Sequence, residues 1–180
     1  DHPILPEAHD AFPRDLTQVF WDYNHHEAST YEAIIARHKI FTDRVVFAGA
    51  CWNWNSFTTD YDKTFLITRP ALQACKRSGV RDVFMTTWGD NGVEGSLLET
   101  LLGAQLFAEY GYADEVDDAR LRARFLTCTG CNYDDFRAMT YLDNRFGHVP
   151  PEGYVYENQS RWLMWQDVLC GMYDAHLKPG

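Results

Sequence analysis

Aromatic side chains with polar neighbours recur at three points of the sequence, and at two of them a carboxylate is present. They are Trp21, Asp22 and Tyr23, then Trp52 and Trp54, then Trp88 and Asp90 with Glu94 close behind. An indole offers a flat apolar face, and a carboxylate accepts hydrogen bonds from hydroxyl groups. Because sugars have apolar C–H faces and polar rims, this combination favours a carbohydrate site. The alternative is that the tryptophans only pack, while Asp22 and Asp90 cap the following helices.

Each of these groups follows a short apolar run that predicts a β-strand. The runs are 16–21, 44–50 and 80–87. A helical pattern follows each run. The first and third predicted helices are residues 28–38 and 94–110. The second starts after a loop that extends to Thr68, has Pro70 in its first turn and stops at Gly79. Strands that are apolar on both faces and separated by crossover helices predict a parallel sheet covered by helices.

Two architectures fit this pattern: an open doubly wound sheet, or part of a (β/α)8 barrel. No GxGxxG or GxxxxGK[ST] loop follows a strand, which weakens a nucleotide-binding open sheet. Barrel enzymes carry their functional residues where strands end, as the aromatic groups do here. We therefore predict the C-terminal part of a barrel, about three βα units within residues 1–112, followed by a helical extension over residues 113–180.

Composition limits the class of partner. With 46% apolar and 23% charged residues the chain is globular. A net charge of −10 argues against nucleic acid or an anionic membrane as partner, and no apolar run is long enough to span a bilayer. No signal peptide is visible, and the five cysteines are Cys51, Cys75, Cys128, Cys131 and Cys170. Their odd number and wide spacing do not indicate disulfides, so a cytoplasmic location is slightly favoured.

Three other polar groups have a structural and a functional interpretation. His25 and His26 precede Glu27, but neighbouring side chains diverge and no further histidine lies at ligand spacing, which favours a loop or helix-start role. Asp114-Glu115 is interpreted as solvated surface. Glu94 either favours the positive end of its helix or binds a hydroxyl. The Cys128–Cys131 spacing lacks a second pair, so we predict no metal and no cofactor.

Several motifs resemble the β-N-acetylhexosaminidases of glycoside hydrolase family 20. They are the segments 20–23 (FWDY), 47–54 (FAGACWNW), 87–92 (TWGDNG) with Glu94, and 162–174 (WLMWQDVLCGMYD). The resemblance is to the branch that contains bacterial exo-β-N-acetylglucosaminidases and human hexosaminidase D. It covers most of residues 16–174, and the Trp-Gly-Asp segment is its most specific part.

The resemblance implies a (β/α)8 barrel enzyme that removes terminal, non-reducing β-linked N-acetylglucosamine or N-acetylgalactosamine. Its mechanism is substrate-assisted: the 2-acetamido oxygen attacks the anomeric carbon, a Glu protonates the leaving oxygen and the neighbouring Asp orients the acetamido group. Residues carried over by position are substrate-binding: Trp88 stacks on the sugar, Asp90 binds hydroxyls, Trp52 or Trp54 forms another wall, and Asp22 or Tyr23 contacts the acetamido group or hydroxyls.

The resemblance also implies that the catalytic Asp-Glu pair lies upstream of this chain, at the end of the fourth barrel strand. We therefore expect the chain to be inactive by itself, with its partners being an N-acetylhexosamine-containing glycan and either a second copy or the missing barrel half. The alternatives are a non-catalytic carbohydrate-binding domain, and a scaffold in which the tryptophans only pack.

Overall fold

The computed structural model describes residues 6–54, 56–89 and 94–142, which adopt a mixed α/β architecture. One parallel sheet has the order β1-β2-β3, formed by Gln18–Trp21 (β1), Val45–Ala50 (β2) and Asp82–Thr86 (β3). The helices are Pro6–His9 (α1), Ala28–Lys39 (α2), Tyr61–Arg77 (α3), Leu101–Tyr112 (α4), Asp118–Thr129 (α5) and Tyr133–Ala138 (α6). The predicted parallel sheet with crossover helices is confirmed. Three strands alone do not make a barrel.

One face of the sheet is covered by helices. Phe20 of β1 and Phe47 of β2 are partners in the parallel register, so they point to the same face. Phe20 stacks on His38 of α2 at 5.0 Å between ring centroids, and Tyr31 of α2 meets Phe47 edge-on at 6.0 Å. Phe20, Tyr31 and Phe47 belong to the main buried cluster, which extends into α3 and α4. This face holds the hydrophobic core.

The opposite face of the sheet is largely open. Trp21, Ala48 and Phe84 are partners across the three strands and therefore lie in one row on this face. Ala48 is buried, whereas Trp21 is 65% and Phe84 47% exposed. For β1 and β3 this agrees with the expectation that an incomplete barrel leaves its outer strands unpaired and one apolar sheet face open. They are edge strands, and no described element covers their second face.

The helix after β2 begins earlier than the sequence predicts. α3 starts at Tyr61, directly after Asp60, whose side chain accepts a hydrogen bond from the Lys63 backbone N–H at 2.9 Å. Pro70 lies inside this helix, so the prediction that it occupies the first turn is wrong. The reason is tertiary: Tyr61 and Phe65 are buried in the core, and this burial outweighs the hydrogen bond that a proline cannot donate.

The helix after β3 begins later than predicted. Ser96 and Glu99 form a capping box at the start of a 3-10 turn, Leu97–Thr100, which continues into α4. Glu94 precedes this cap. It does not lie in the first helical turn, so the helix-dipole role predicted for Glu94 is wrong. The reciprocal hydrogen bonds of the capping box decide where the helix starts.

The two helices α4 and α5 are joined by a buried carboxylate. Glu109 of α4 is almost fully buried and accepts hydrogen bonds from Arg120 Nε at 2.9 Å and Arg124 Nε at 3.0 Å, both from α5. Burial by itself would raise the pKa of Glu109, but the hydrogen bonds from the two arginines outweigh it and the pKa is lowered. The carboxylate therefore stays ionised and holds the helices together.

The C-terminal helices differ in detail from the predicted ones. The charged helix expected at 114–125 is α5, Asp118–Thr129, and the helix expected at 133–142 is α6 followed by a 3-10 turn, Met139–Leu142. The elements expected at 154–158 and 160–173 lie outside the described residues. Among the helices described here, none is long and apolar enough to cross a bilayer.

Candidate functional site

Four aromatic side chains from three strand ends meet at one edge of the sheet. The rings of Trp52 and Trp54, after β2, lie 4.0 Å apart, and Tyr23, after β1, meets Trp54 edge-on at 5.3 Å. Trp88, after β3, donates a hydrogen bond from Nε1 to the Tyr23 hydroxyl at 2.9 Å. The parallel arrangement causes this convergence, because the carboxyl ends of all three strands share one edge. We refer to these four side chains as the aromatic cluster.

A chain of hydrogen bonds fixes the orientation of Tyr23 and Trp88. The Thr86 hydroxyl donates to the Gly49 carbonyl at 2.9 Å, and this uses its only proton. The Tyr23 hydroxyl, 3.2 Å from Thr86 Oγ1, must therefore donate to Thr86 and accept from the Trp88 indole. Each donor of this hydrogen-bond network therefore has an acceptor. The Trp88 ring is connected to the Gly49 carbonyl of β2 through Tyr23 and Thr86.

Trp52 has no face left for a ligand. Lys63 Nζ lies 3.1 Å from the centroid of the Trp52 ring, in a cation–π contact, and the Trp54 ring packs against the same ring at a tilt of 35°. Two groups this close to one centroid must lie on opposite faces. A cation–π contact in a buried position contributes about 2 kcal/mol. Trp52 is only 5% exposed, so its role is to pack against Trp54 and not to contact a ligand.

Accessibility differs sharply within the aromatic cluster. Trp54 is 4% exposed, whereas Trp88 is 43% exposed. Trp88 is therefore the member that offers the largest surface to a ligand. Trp52 or Trp54 is predicted to form a wall of the sugar site. In the described structure both side chains are buried and pack against Tyr23.

The loop that carries Trp52 and Trp54 is held by the first turn of α3. The Trp52 backbone N–H donates to Thr64 Oγ1 at 2.8 Å, and the Asp60 N–H donates to the Trp52 carbonyl at 2.8 Å. Thr64 Oγ1 in turn donates to the Asp60 carbonyl at 2.7 Å. The polar atoms at the end of β2 are thus satisfied by α3, so the position of this helix determines that of Trp52.

Cys51, directly before Trp52, is a packing residue. It is fully buried, and burial raises the pKa of its thiol to about 12, so it stays protonated at neutral pH. Gly103 of α4 lies against it, and a Cβ added there would be 2.8 Å from Cys51 Cβ. Gly103 therefore allows α4 to approach the end of β2.

Asp22 is engaged in its own loop. Its Oδ1 accepts from the backbone N–H groups of Asn24 and His25 at 3.1 Å each, and its Oδ2 lies 2.7 Å from His25 Nδ1. Asp22 does not cap α2, whose N-cap is Glu27. The carboxylate orders the turn after β1 that carries Tyr23, and His25 belongs to that turn, as the sequence favours.

The two remaining predicted site residues are Asp90 and Glu94. Asp90 is among the undescribed residues, and Glu94 is exposed in the segment before the Ser96 cap. Asp114 is exposed and pairs with Lys76, in the last turn of α3, at 3.2 Å. This places Asp114 at the opposite end of the sheet. In the described ranges no group of three His, Cys, Asp or Glu side chains could hold a metal ion.

Sequence reasoning missed two residues of the site. Thr86 orients Tyr23, and Lys63 supports Trp52. A lysine in an otherwise apolar helix face is a visible signal for Lys63, but its contact with Trp52 depends on where α3 starts. Thr86 gives no signal in the sequence because threonine is common in strands.

Comparison with known proteins agrees with a glycosidase relationship. Residues 134–180 match the family described as Glycoside Hydrolase 20C C-terminal domain. The match covers less than half of the chain and supports glycoside hydrolase family 20 at the family level. A search of curated proteins found none that matches the chain.

Proposed function

We propose that the chain carries the sugar-holding part of a β-N-acetylhexosaminidase site, one that releases terminal β-linked N-acetylglucosamine or N-acetylgalactosamine. The observation that carries this proposal is the meeting of aromatic rings and hydroxyl groups at the carboxyl edge of three parallel strands. The match of residues 134–180 to a family 20 domain supports the same conclusion from an independent part of the chain.

Within this proposal the aromatic residues have distinct roles. Trp88 stacks on the apolar face of the sugar, because its ring is accessible and its indole N–H is held by Tyr23. Tyr23 acts by orienting Trp88, since its hydroxyl already bonds to Trp88 and Thr86. Trp54 and Trp52 are buried and support the Tyr23 ring from behind. Asp90, two residues after Trp88, binds sugar hydroxyls.

The chemistry of the proposed reaction requires groups beyond the aromatic cluster. In substrate-assisted hydrolysis the acetamido oxygen bonds to the anomeric carbon as the glycosidic C–O bond breaks, and a general acid gives its proton to the leaving oxygen. Asp114 and Glu115 do not fit this role, since Asp114 pairs with Lys76 far from the aromatic cluster. We propose that the catalytic Asp-Glu pair is supplied from outside the chain.

The open sheet face supports a missing partner. Trp21 and Phe84 expose apolar surface on the side of the sheet away from α2 and α3, and β1 and β3 each have an unpaired edge among the described residues. We propose that the other half of a barrel, or a second copy of the chain, covers this face. A stable contact of this kind buries more than about 1,000 Å².

Hydrolysis of 4-nitrophenyl N-acetyl-β-D-glucosaminide tests the proposal. We expect activity only from a chain extended N-terminally, and we expect Trp88→Ala to weaken N-acetylglucosamine binding. Tyr112→Ala is the control because Tyr112 is an exposed aromatic at the far end of α4. Activity of the 180-residue chain alone would refute the proposed division of the site. A different result would indicate a carbohydrate-binding domain: the chain binds sugars equally well with and without the 2-acetamido group, and the longer chain does not hydrolyse the substrate.

A further inference from the structure

The C-terminal helical segment touches the loop that carries Trp52 and Trp54. Thr58, in this loop, donates its hydroxyl proton to the Met139 carbonyl at 2.9 Å. Thr140 Oγ1 accepts a hydrogen bond at 2.9 Å from the backbone N–H of Tyr61, the first residue of α3. These partners are about 80 residues apart in the chain and can meet only through the tertiary fold.

The hydrogen bond between Thr140 and Tyr61 joins buried groups. Thr140 and Tyr61 are both fully buried, so no water can replace Thr140 as the acceptor for the Tyr61 N–H. A helix leaves its first N–H groups without intrahelical partners, and an unsatisfied buried donor costs about 1–3 kcal/mol. Asp60 caps the Lys63 N–H of the same helix end. Thr140 therefore caps the first N–H group of α3 from a distant part of the chain.

Two further residues, Arg137 and Phe136, hold the same segment against the start of α3. Arg137 of α6 donates to Asp62 Oδ1 at 2.6 Å and lies over the Phe65 ring at 4.4 Å. The Phe136 ring lies 6.3 Å from that of Tyr61. The region that matches the glycoside hydrolase 20C C-terminal domain begins at residue 134, so its first residues make all of these contacts.

We propose that Thr140 is a positioning residue, through which the C-terminal domain holds the start of α3 and thereby the Trp52–Trp54 pair. The path is short. Thr140 bonds to Tyr61, and the same helix turn places Lys63 on the Trp52 ring. If this turn moves, Trp52 loses the support of its rear face, and Trp54 loses its stacking partner. The consequence for sugar binding rests on the proposed function, but the positioning itself does not.

Thr140→Val is the direct test because valine keeps the shape and removes the acceptor. Two tryptophan rings 4.0 Å apart produce an exciton couplet in circular dichroism, and a Trp54→Phe variant identifies the part due to this pair. In folded Thr140→Val we expect the couplet to fall by about half and the Tyr61 amide to exchange at least about tenfold faster, as an unsatisfied donor predicts. Thr140→Ser, which retains the hydroxyl, restores both.

The control is Thr127→Val, because Thr127 is exposed and its hydroxyl donates to the Ala123 carbonyl of its own helix. It leaves the couplet unchanged. If Thr140→Val does not fold, Thr58→Val removes the other hydrogen bond between this segment and the loop, and a reduced couplet is the expected result. A wild-type couplet with wild-type Tyr61 exchange in a folded variant, or a Thr140→Ser variant as impaired as Thr140→Val, would overturn the inference.

The exciton couplet and the Tyr61 amide exchange are both measured without sugar, so they test the positioning role independently of the proposed function. If Thr140→Val loses the couplet while no form of the chain binds N-acetylglucosamine, the positioning role stands and the proposed function fails. If the chain binds the sugar, we expect Thr140→Val to bind it about five- to tenfold more weakly, with Thr127→Val unchanged.

Discussion

The close approach of α4 to the end of β2 gives a sharp test of how the fold supports the aromatic cluster. Gly103 of α4 lies against Cys51, and a Cβ added at Gly103 would lie 2.8 Å from Cys51 Cβ, inside the contact distance of two carbon atoms. Cys51 directly precedes Trp52. We therefore predict that Gly103→Ala both destabilises the chain and shifts Trp52.

The size of this effect follows from a matched pair of glycines. Gly111 lies in the same helix, and a Cβ added there meets no atom within 4 Å. Gly→Ala in a helix stabilises by about 0.5–1 kcal/mol when nothing obstructs the methyl group. Overpacking a core costs about 1–3 kcal/mol. Both glycines lie in α4, so the helix-propensity gain applies to both substitutions and cancels, and the free energy of unfolding of Gly103→Ala should lie roughly 1–3 kcal/mol below that of Gly111→Ala.

Urea unfolding followed by circular dichroism measures both variants beside the wild type. In the Gly103→Ala background, Cys51→Ala should recover part of the loss, because it removes the sulfur atom but leaves the Cβ. The near-ultraviolet signal of the folded Gly103→Ala chain should also change, since Trp52 follows Cys51. If Gly103→Ala were as stable as Gly111→Ala, the packing of α4 against β2 described here would be wrong.

Two further predictions concern single polar groups. Tyr23→Phe removes the acceptor of the Trp88 indole, so we expect red-shifted Trp88 fluorescence and, under the proposed function, about fivefold weaker sugar binding, with Tyr112→Phe as control. Glu109→Gln weakens the charged hydrogen bonds from α5 and should lower the free energy of unfolding by about 2 kcal/mol at pH 7. Because the folded pKa of Glu109 is lowered, this stabilisation is present above the ordinary value of 4.5 and is lost as pH falls below it. The unfolding midpoints of the wild type and of Glu109→Gln should therefore converge as the pH falls below 4.5. A difference between the two midpoints that does not change with pH would contradict the role of Glu109.

The local sequence determines much of the fold. The run of small and β-branched residues that ends at Ala50 predicts β2 almost to its boundaries, and the helical pattern after Ala28 predicts α2. Alternation of strands and helices implies a parallel sheet, because parallel neighbours need long crossovers. A parallel sheet gathers its strand ends at one edge, so the sequence also predicts that Tyr23, Trp54 and Trp88 converge.

Partners and exposure were decided only by the tertiary structure. Asp22 has the chemistry of a ligand-binding carboxylate, but His25 and two backbone N–H groups occupy it. Trp52 and Trp88 are the same residue type at equivalent strand ends, yet one is buried between two neighbours and the other is accessible. Such differences depend on groups distant in sequence, which local propensity does not contain.

The start of α3 illustrates the same division. Local propensity places the beginning of this helix near Pro70, where proline is well tolerated. In the structure the helix instead begins at Tyr61. Tyr61 is buried, and Thr140, from a distant part of the chain, accepts a hydrogen bond from the Tyr61 N–H. A hydrogen bond between residues so far apart forms only after the chain has folded. Residue type and spacing thus determined which groups reach the edge of the sheet, and tertiary packing decided which of them a ligand can touch.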